Sequence, residues 1–283
     1  MVGVRQGLRD PAGGDPEPPL SQPGNLAARA FGGTAQAYLR YRQPYPKALL
    51  DELLQRASAD GQGVLVDLAC GPGRVALAIA GAFERVIAID LEPEMIAVGR
   101  EEAARRGIAN IDWRVGRAED ADIAAGSIDL VTIGEAFHRL DQGVVARRAL
   151  SWLKGGGLIA ILGTESLPTG ADPWLETARS LSRRWADRAF PQGWAERAAG
   201  AEADPERALA RAGFAAIESR AFEEPRTRSF EEVLGYFRST SICSEQALGP
   251  DFPAFAAELR AALAGDRFEE RFRSGYTLGR KPL

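Results

Sequence analysis

The stretch Val64-Leu65-Val66-Asp67-Leu68-Ala69-Cys70-Gly71-Pro72-Gly73-Arg74-Val75-Ala76-Leu77-Ala78-Ile79-Ala80 decides the fold. Val64 to Leu68 is a short aliphatic and β-branched run, Cys70 to Arg74 is a glycine turn, and Val75, Ile79, Ala82 and Phe83 recur at helical spacing. The order is strand, tight loop, helix. Glycines in such a loop let backbone amides approach a ligand, and the first turn of the helix offers unpaired N–H groups to the same space. A nucleotide-like molecule is the expected guest.

Gly71-Pro72-Gly73-Arg74-Val75-Ala76 fits the dinucleotide pattern G-x-G-x-x-G/A, which alone is a weak signal. Two acids point elsewhere. Asp67 stands four residues before the first glycine, where a carboxylate repels pyrophosphate and suits an ammonium group. Asp90 ends the next strand, Val86 to Asp90, where a ribose presents its hydroxyls. A ligand with a cation at one end and a ribose reached through an uncharged linker is S-adenosylmethionine. Asp67 to Arg74 resembles the glycine-rich first motif of class I S-adenosylmethionine-dependent methyltransferases, and Asp90 falls at that family's ribose-binding acid.

The resemblance extends both ways from this motif. Upstream, Tyr38-Leu39-Arg40-Tyr41-Arg42-Gln43-Pro44-Tyr45-Pro46 is similar to a Y-x-x-x-R-P-x-Y-P lid of small-molecule, type 11-like members, with Gln43 interrupting the R-P step. It implies Tyr38 and Arg42 at the cofactor, the arginine near its carboxylate, and Tyr41 toward the substrate. The alternative is that Tyr38, Tyr41 and Tyr45 only pack a helix pair. Downstream, Gly116-Arg117-Ala118-Glu119-Asp120 resembles the family's adenine-binding motif, which implies Ala118 and Glu119, with Leu91 and Met95 after the second strand, as further cofactor contacts. The same polar pair could equally cap a helix. Gly134-Glu135-Ala136-Phe137-His138-Arg139-Leu140-Asp141 resembles an A-x-H-W-x-D sequence, with Arg139 where that branch has tryptophan.

Strands at 64–68, 86–90, 111–115, 128–133 and 158–163 alternate with helices, among them Pro93 to Arg106 and Asp141 to Leu153, the latter stopped by Gly155-Gly156-Gly157. Alternation implies an α/β, Rossmann-like doubly wound sheet, mostly parallel. Phe214 to Phe222 and Phe268 to Leu278 read as a closing antiparallel hairpin, and a helical cap completes the fold. The expected organisation is a proline-rich tail at 1–25, a helical lid at 26–60, a cofactor-binding core at 61–164, a helical, aromatic substrate cap at 165–202 and a C-terminal completion of the core with further cap helices at 203–283.

In a doubly wound sheet the residues after strands one and four face the ligand, so Ala69, Gly71 and Gly73 belong on the cofactor side and Gly134 to His138 beside the transferred methyl. His138, the chain's single histidine, suits a general base near neutral pH; Glu135 is the competing base, or an acceptor for a substrate amine. Phe137, Trp174, Trp185 and Tyr236 are the aromatic candidates for enclosing a substrate, with Phe190 and Trp194 in the same cap.

The reading is methyl transfer to a hydroxyl or amine of a small organic molecule, of secondary-metabolite kind. A net charge of -4 over 283 residues offers nucleic acid no electrostatic footprint, and no N-P-P-Y-type motif follows strand four, which argues against an RNA or protein methyltransferase. A protein that binds the cofactor without transferring methyl would carry the same binding motifs. Two cysteines without zinc spacing argue against a structural metal or disulfide. With no signal-like or membrane-spanning run, a cytoplasmic protein is expected.

Overall fold

The computed structural model describes residues 31–165, 172–190 and 204–283. The expected tail, the part of the expected lid before residue 31, and Trp194 lie outside them.

The mixed sheet has seven strands in the order β3-β2-β1-β4-β5-β7-β6. Strands β1 (Val64–Leu68), β2 (Arg85–Asp90), β3 (Ile111–Val115), β4 (Ile128–Gly134) and β5 (Leu153–Glu165) run parallel. β7 (Arg267–Arg280) lies antiparallel between β5 and β6 (Ala215–Ser229). Alternation along each strand supplies two core faces. Val66, Leu68, Val131 and Ile133 pack to one side, under α5 (Gln142–Trp152) and α7 (Pro205–Ala212). Leu65, Val86, Leu130 and Leu158 pack to the other, with α2 (Lys47–Arg56) and α3 (Arg74–Ile79).

Helix boundaries follow local chemistry. α4 (Pro93–Arg105) starts with proline and has Glu94 in its first turn and Arg105 in its last, matching its dipole. Asp141 caps α5 by accepting from the Val144 amide at 2.9 Å. Ser229 and Glu232 form a capping box on α8 (Phe230–Arg238).

The glycine run behaves differently from expectation. Gly155, Gly156 and Gly157 lie inside β5, which begins at Leu153, and the register against β4 shifts between Ile128 and Leu130. The triplet forms an irregularity in an early-starting strand, and α5 ends at Trp152 without it.

β6 and β7 continue well past the sheet. β5 leaves β7 at the Glu165–Arg273 pair, whereas β6 follows it to Ser229–Arg267. The cap sits on this overhanging ribbon, built from α6 (Pro173–Ala189), α8, the short α9 (Glu245–Leu248) and α10 (Phe252–Ala262), around Leu181, Val233, Phe237, Phe255 and Leu259. Among the described residues, α6 comes from the 165–202 segment and α8, α9 and α10 from the C-terminal segment after residue 229. α1 (Ala35–Tyr41) packs Ala35, Tyr38 and Leu39 on Met95 and Val98 of α4, above the ends of β1 and β2.

Candidate active site

The floor is made where β1 and β4 end side by side. The residue after each strand is left-handed without being glycine: Ala69 has φ 49° and Glu135 has φ 59°. Such a conformation costs on the order of 1–3 kcal/mol, and the surrounding structure imposes it here on both sides of the switch point. Between them the loop turns through Gly73, whose φ is 81° and whose Cα faces the Trp113 ring so closely that a Cβ would overlap it. Gly134 is equally constrained, since a Cβ there would stand 2.8 Å from the Tyr45 hydroxyl.

Two acids brace this floor. The Gly71 amide donates to Asp90 Oδ2 at 2.7 Å and the Glu92 amide to Oδ1 at 2.9 Å, so Asp90 ties the glycine loop to the tip of β2. Burial raises the Asp90 pKa, against the pull of those amides. Asp67 is 1% exposed. Thr132 on β4 donates to its Oδ1 at 2.7 Å, and the Ala76 amide in the first turn of α3 donates to its Oδ2 at 3.1 Å. Burial pushes its pKa up to about 7, with the charge of Asp90 adding to the rise. Both oxygens therefore have internal donors, and Asp67 is first of all the joint between β1, β4 and α3.

Above it lies a small chamber walled by Tyr38, Tyr45, Asp67, Arg74 and Gly134. The Arg74 guanidinium sits 5.1 Å over the Tyr45 ring. Its Nη2, and Oε1 of Glu135 on the adjoining loop, are buried without a hydrogen-bond partner. Burial raises the Glu135 pKa, while the positive charges of Arg42 and Arg74 and bonds from Thr164 oppose the rise. An orphaned cationic nitrogen and an orphaned carboxylate oxygen are what the two ends of an amino-acid zwitterion satisfy. The residues present thus fit the methionine end of S-adenosylmethionine.

Arg42 is committed elsewhere. Its Nε donates to Ser239 Oγ at 2.8 Å, Nη1 to the Tyr236 hydroxyl at 3.2 Å and Nη2 to the Ser239 carbonyl at 3.2 Å, with its plane between the Tyr38 and Tyr236 rings. This side chain bolts the lid to the end of α8.

Beyond Glu135 opens a cavity of about 810 Å³, lined by Tyr236 of α8, by residues 240–242 after it and by residues of β5, β6 and β7. Phe137, His138, Arg139 and Tyr236 line it, with Ile161, Leu162, Ile242 and Tyr276 as apolar wall. A short 3₁₀ turn, Phe137–Arg139, carries three of these. Neither ring nitrogen of His138 has a hydrogen-bond partner among the described residues. Burial, then the neighbouring Arg139 charge, lowers its pKa. The imidazole is neutral at neutral pH and faces the cavity with a free lone pair.

The sequence-derived candidates separate into groups. Tyr38, Arg42, Glu135, Phe137, His138 and Tyr236 converge on the large cavity. Asp67, Ala69, Gly71, Gly73, Asp90 and Gly134 form the floor. Leu91 stands 44% exposed beyond β2, and Met95 is buried beneath α1. Ala118 is buried, and Glu119 accepts from the Asp141 amide at 3.1 Å, linking the loop after β3 to the start of α5.

Three aromatic candidates make their contacts away from the cavity lining. Trp174 stacks at 5.2 Å on Phe268 and donates to the Glu269 carbonyl, and Trp185 donates to Glu258 and meets Phe255 edge-on. Both belong to the packing of the cap on its ribbon, because α6 turns its apolar stripe toward α10. Tyr41 lies against Gly235 and donates to Glu231 at 3.2 Å, on the outer side of the lid. Arg74, Tyr45, Thr132 and Ser239 take part without having been singled out. Arg74, next to the second glycine, and Tyr45, inside the lid motif, had a local signal; Thr132 and Ser239 had none.

Residues 65–157 match the model of a methyltransferase domain. Over 94 residues the chain is 42% identical to a ubiquinone/menaquinone biosynthesis C-methyltransferase of Rubrivivax gelatinosus, covering 33% of this chain and 36% of that protein. It is 32% identical over 150 residues to the methyltransferase nsrG of Aspergillus novofumigatus, covering 52% and 56% respectively. The chain thus spans about half or less of the length of these relatives. The YcgJ protein of Bacillus subtilis superposes with a TM-score of 0.55 over 84% of this chain and 100% of that one, at 16% identity, and shares the fold.

Proposed function

We propose that this chain, whose residues 65–157 match a methyltransferase domain, is a class I, S-adenosylmethionine-dependent methyltransferase that methylates a hydroxyl or amine of a small organic molecule held in the 810 Å³ cavity. The observation that carries this reading is His138: a neutral imidazole, unbonded on both nitrogens among the described residues, on the wall of a cavity with both apolar and charged lining, and three residues from the orphaned Glu135.

In this reading Arg74 and Glu135 hold the carboxylate and ammonium of the cofactor, Asp90 its ribose hydroxyls, and Ala118 with Glu119 its adenine. The cofactor brings a methyl already activated by the positive sulfur. Placement of the acceptor is then the main demand on the protein, and positioning can lower such a barrier by up to about 7–11 kcal/mol. Phe137, Ile161 and Leu162 align the acceptor and exclude water, and His138 takes the proton of an attacking hydroxyl. The Arg42 clamp on Ser239 and Tyr236 keeps the lid closed over both.

Calorimetric titration of the full chain with S-adenosylhomocysteine, alongside NAD, tests the cofactor half. Tight binding of the first and none of the second is expected. Transfer of radiolabelled methyl to a panel of phenols and amines tests the other half. Cofactor binding with no transfer to any of them would leave a binding protein and refute the catalytic reading.

A further inference from the structure

The cavity wall carries three guanidinium groups, and the structure offsets two. Arg42 lies in the field of Glu135. Arg220 pairs with Glu52 at 2.6 Å. Arg139 has neither a carboxylate nor a hydrogen-bond acceptor for its side chain among the described residues; its contact is the face of Phe31, 4.8 Å from the ring centre. Its side chain is exposed to solvent and shares the cavity wall with the like charge of Arg42. A cation held in that way, on the same turn as His138, is stabilised by whatever anion enters the cavity.

We propose that the methyl acceptor carries a carboxylate, gripped by Arg139, while its nucleophile faces His138. The proposal rests on the methyl-transfer reading above and adds the acceptor's charge to it. A single unmatched cation suits one negative charge, so a carboxylate fits where a doubly charged phosphate would need a second free arginine. The planar fork of arginine binds a carboxylate through two parallel N–H donors. Consecutive residues of a 3₁₀ turn diverge by about 120°, so Arg139 and His138 reach different edges of the acceptor. Phe137 and Ile161 add apolar surface to the same cavity.

The test uses the full chain saturated with S-adenosylhomocysteine and titrated calorimetrically with matched acids and amides: 4-hydroxybenzoate against 4-hydroxybenzamide, and hydroxycinnamates against their amides. At least one acid should bind about tenfold or more tightly than its amide, and Arg139→Gln should erase that gap while Arg139→Lys keeps part of it. The Kd of S-adenosylhomocysteine should stay within about twofold in Arg139→Gln, which also shows that the variant is folded. The proposal is overturned by the absence of an acid-selective pair across the set, or by a gap that survives Arg139→Gln. It is equally overturned if Arg139→Gln weakens S-adenosylhomocysteine tenfold, because the arginine then serves the cofactor. Failure of the wild-type chain to bind S-adenosylhomocysteine would strike the methyl-transfer reading instead.

Discussion

Replacing Asp67 by asparagine probes how the site handles charge. In the folded protein the Asp67 carboxyl titrates at about 7, pushed up from 3.8 mainly by burial. Between those values the folded chain keeps a proton that the unfolded chain has lost, so this group makes stability fall as pH rises through the window and adds nothing further above it. About 1.4 kcal/mol per tenfold change in proton affinity, over that span, sets a ceiling of about 4 kcal/mol. The carboxamide of Asp67→Asn would accept from the Ala76 amide and donate to the Thr132 hydroxyl, preserving the joint without the charge. In urea titrations the wild type should lose stability from this group between about pH 4 and pH 7, and the variant should lose markedly less.

The same group couples to the ligand. A cofactor ammonium entering the chamber favours the ionised carboxylate, so near pH 7 binding should expel about half a proton from Asp67. Calorimetry with S-adenosylhomocysteine in phosphate and in Tris reads this directly, as an apparent enthalpy that depends on the buffer's own ionisation heat. Asp67→Asn should reduce that dependence, leaving any share from Asp90 and Glu135, whose pKa values are also raised by burial. A buffer-independent enthalpy, or a dependence unchanged in Asp67→Asn, would refute the electrostatic account of the chamber.

Three further outcomes are expected. With a hydroxyl acceptor, kcat/KM should rise with pH to a plateau, with the midpoint of the rise below the ordinary histidine value of 6.5 because the His138 pKa is lowered, and His138→Gln should cut turnover about 10²–10⁴-fold at unchanged S-adenosylhomocysteine affinity. Glu270→Gln should destabilise the protein by about 3–5 kcal/mol in urea, since it leaves the fully buried Arg228, 2.7 Å away and with Nη1 and Nη2 already unpartnered, without its counter-charge; the double variant Arg228→Met/Glu270→Leu should recover most of the loss. Gly235→Ala should cost about 1–3 kcal/mol despite better helix propensity, because the new Cβ overlaps the Tyr41 ring where lid and α8 meet, and it should raise protease susceptibility of the lid.

What could be read from the chain alone is local. The β1–loop–α3 unit announces itself because strand, glycine bend and amphipathic helix are neighbours in sequence, and the alternation after it leaves few topologies open. The antiparallel closure by β6 and β7 was legible for the same reason, as was the segment after β4 that presents His138.

Contacts across distance belonged to the tertiary structure. Asp67 reads as a ligand for an ammonium, yet Thr132, 65 residues on, and the Ala76 amide take its oxygens. Arg42 reads as a cofactor contact, yet Ser239, 197 residues away, holds it. Trp174 and Trp185 could face a cavity or a neighbouring helix equally well by spacing; the long β6–β7 ribbon, which gives α10 its place opposite α6, sends them to the latter. The orphaned pair Arg74 and Glu135 emerges only when every buried donor and acceptor has been matched, because a missing partner is a property of the packed interior and has no counterpart in residue order.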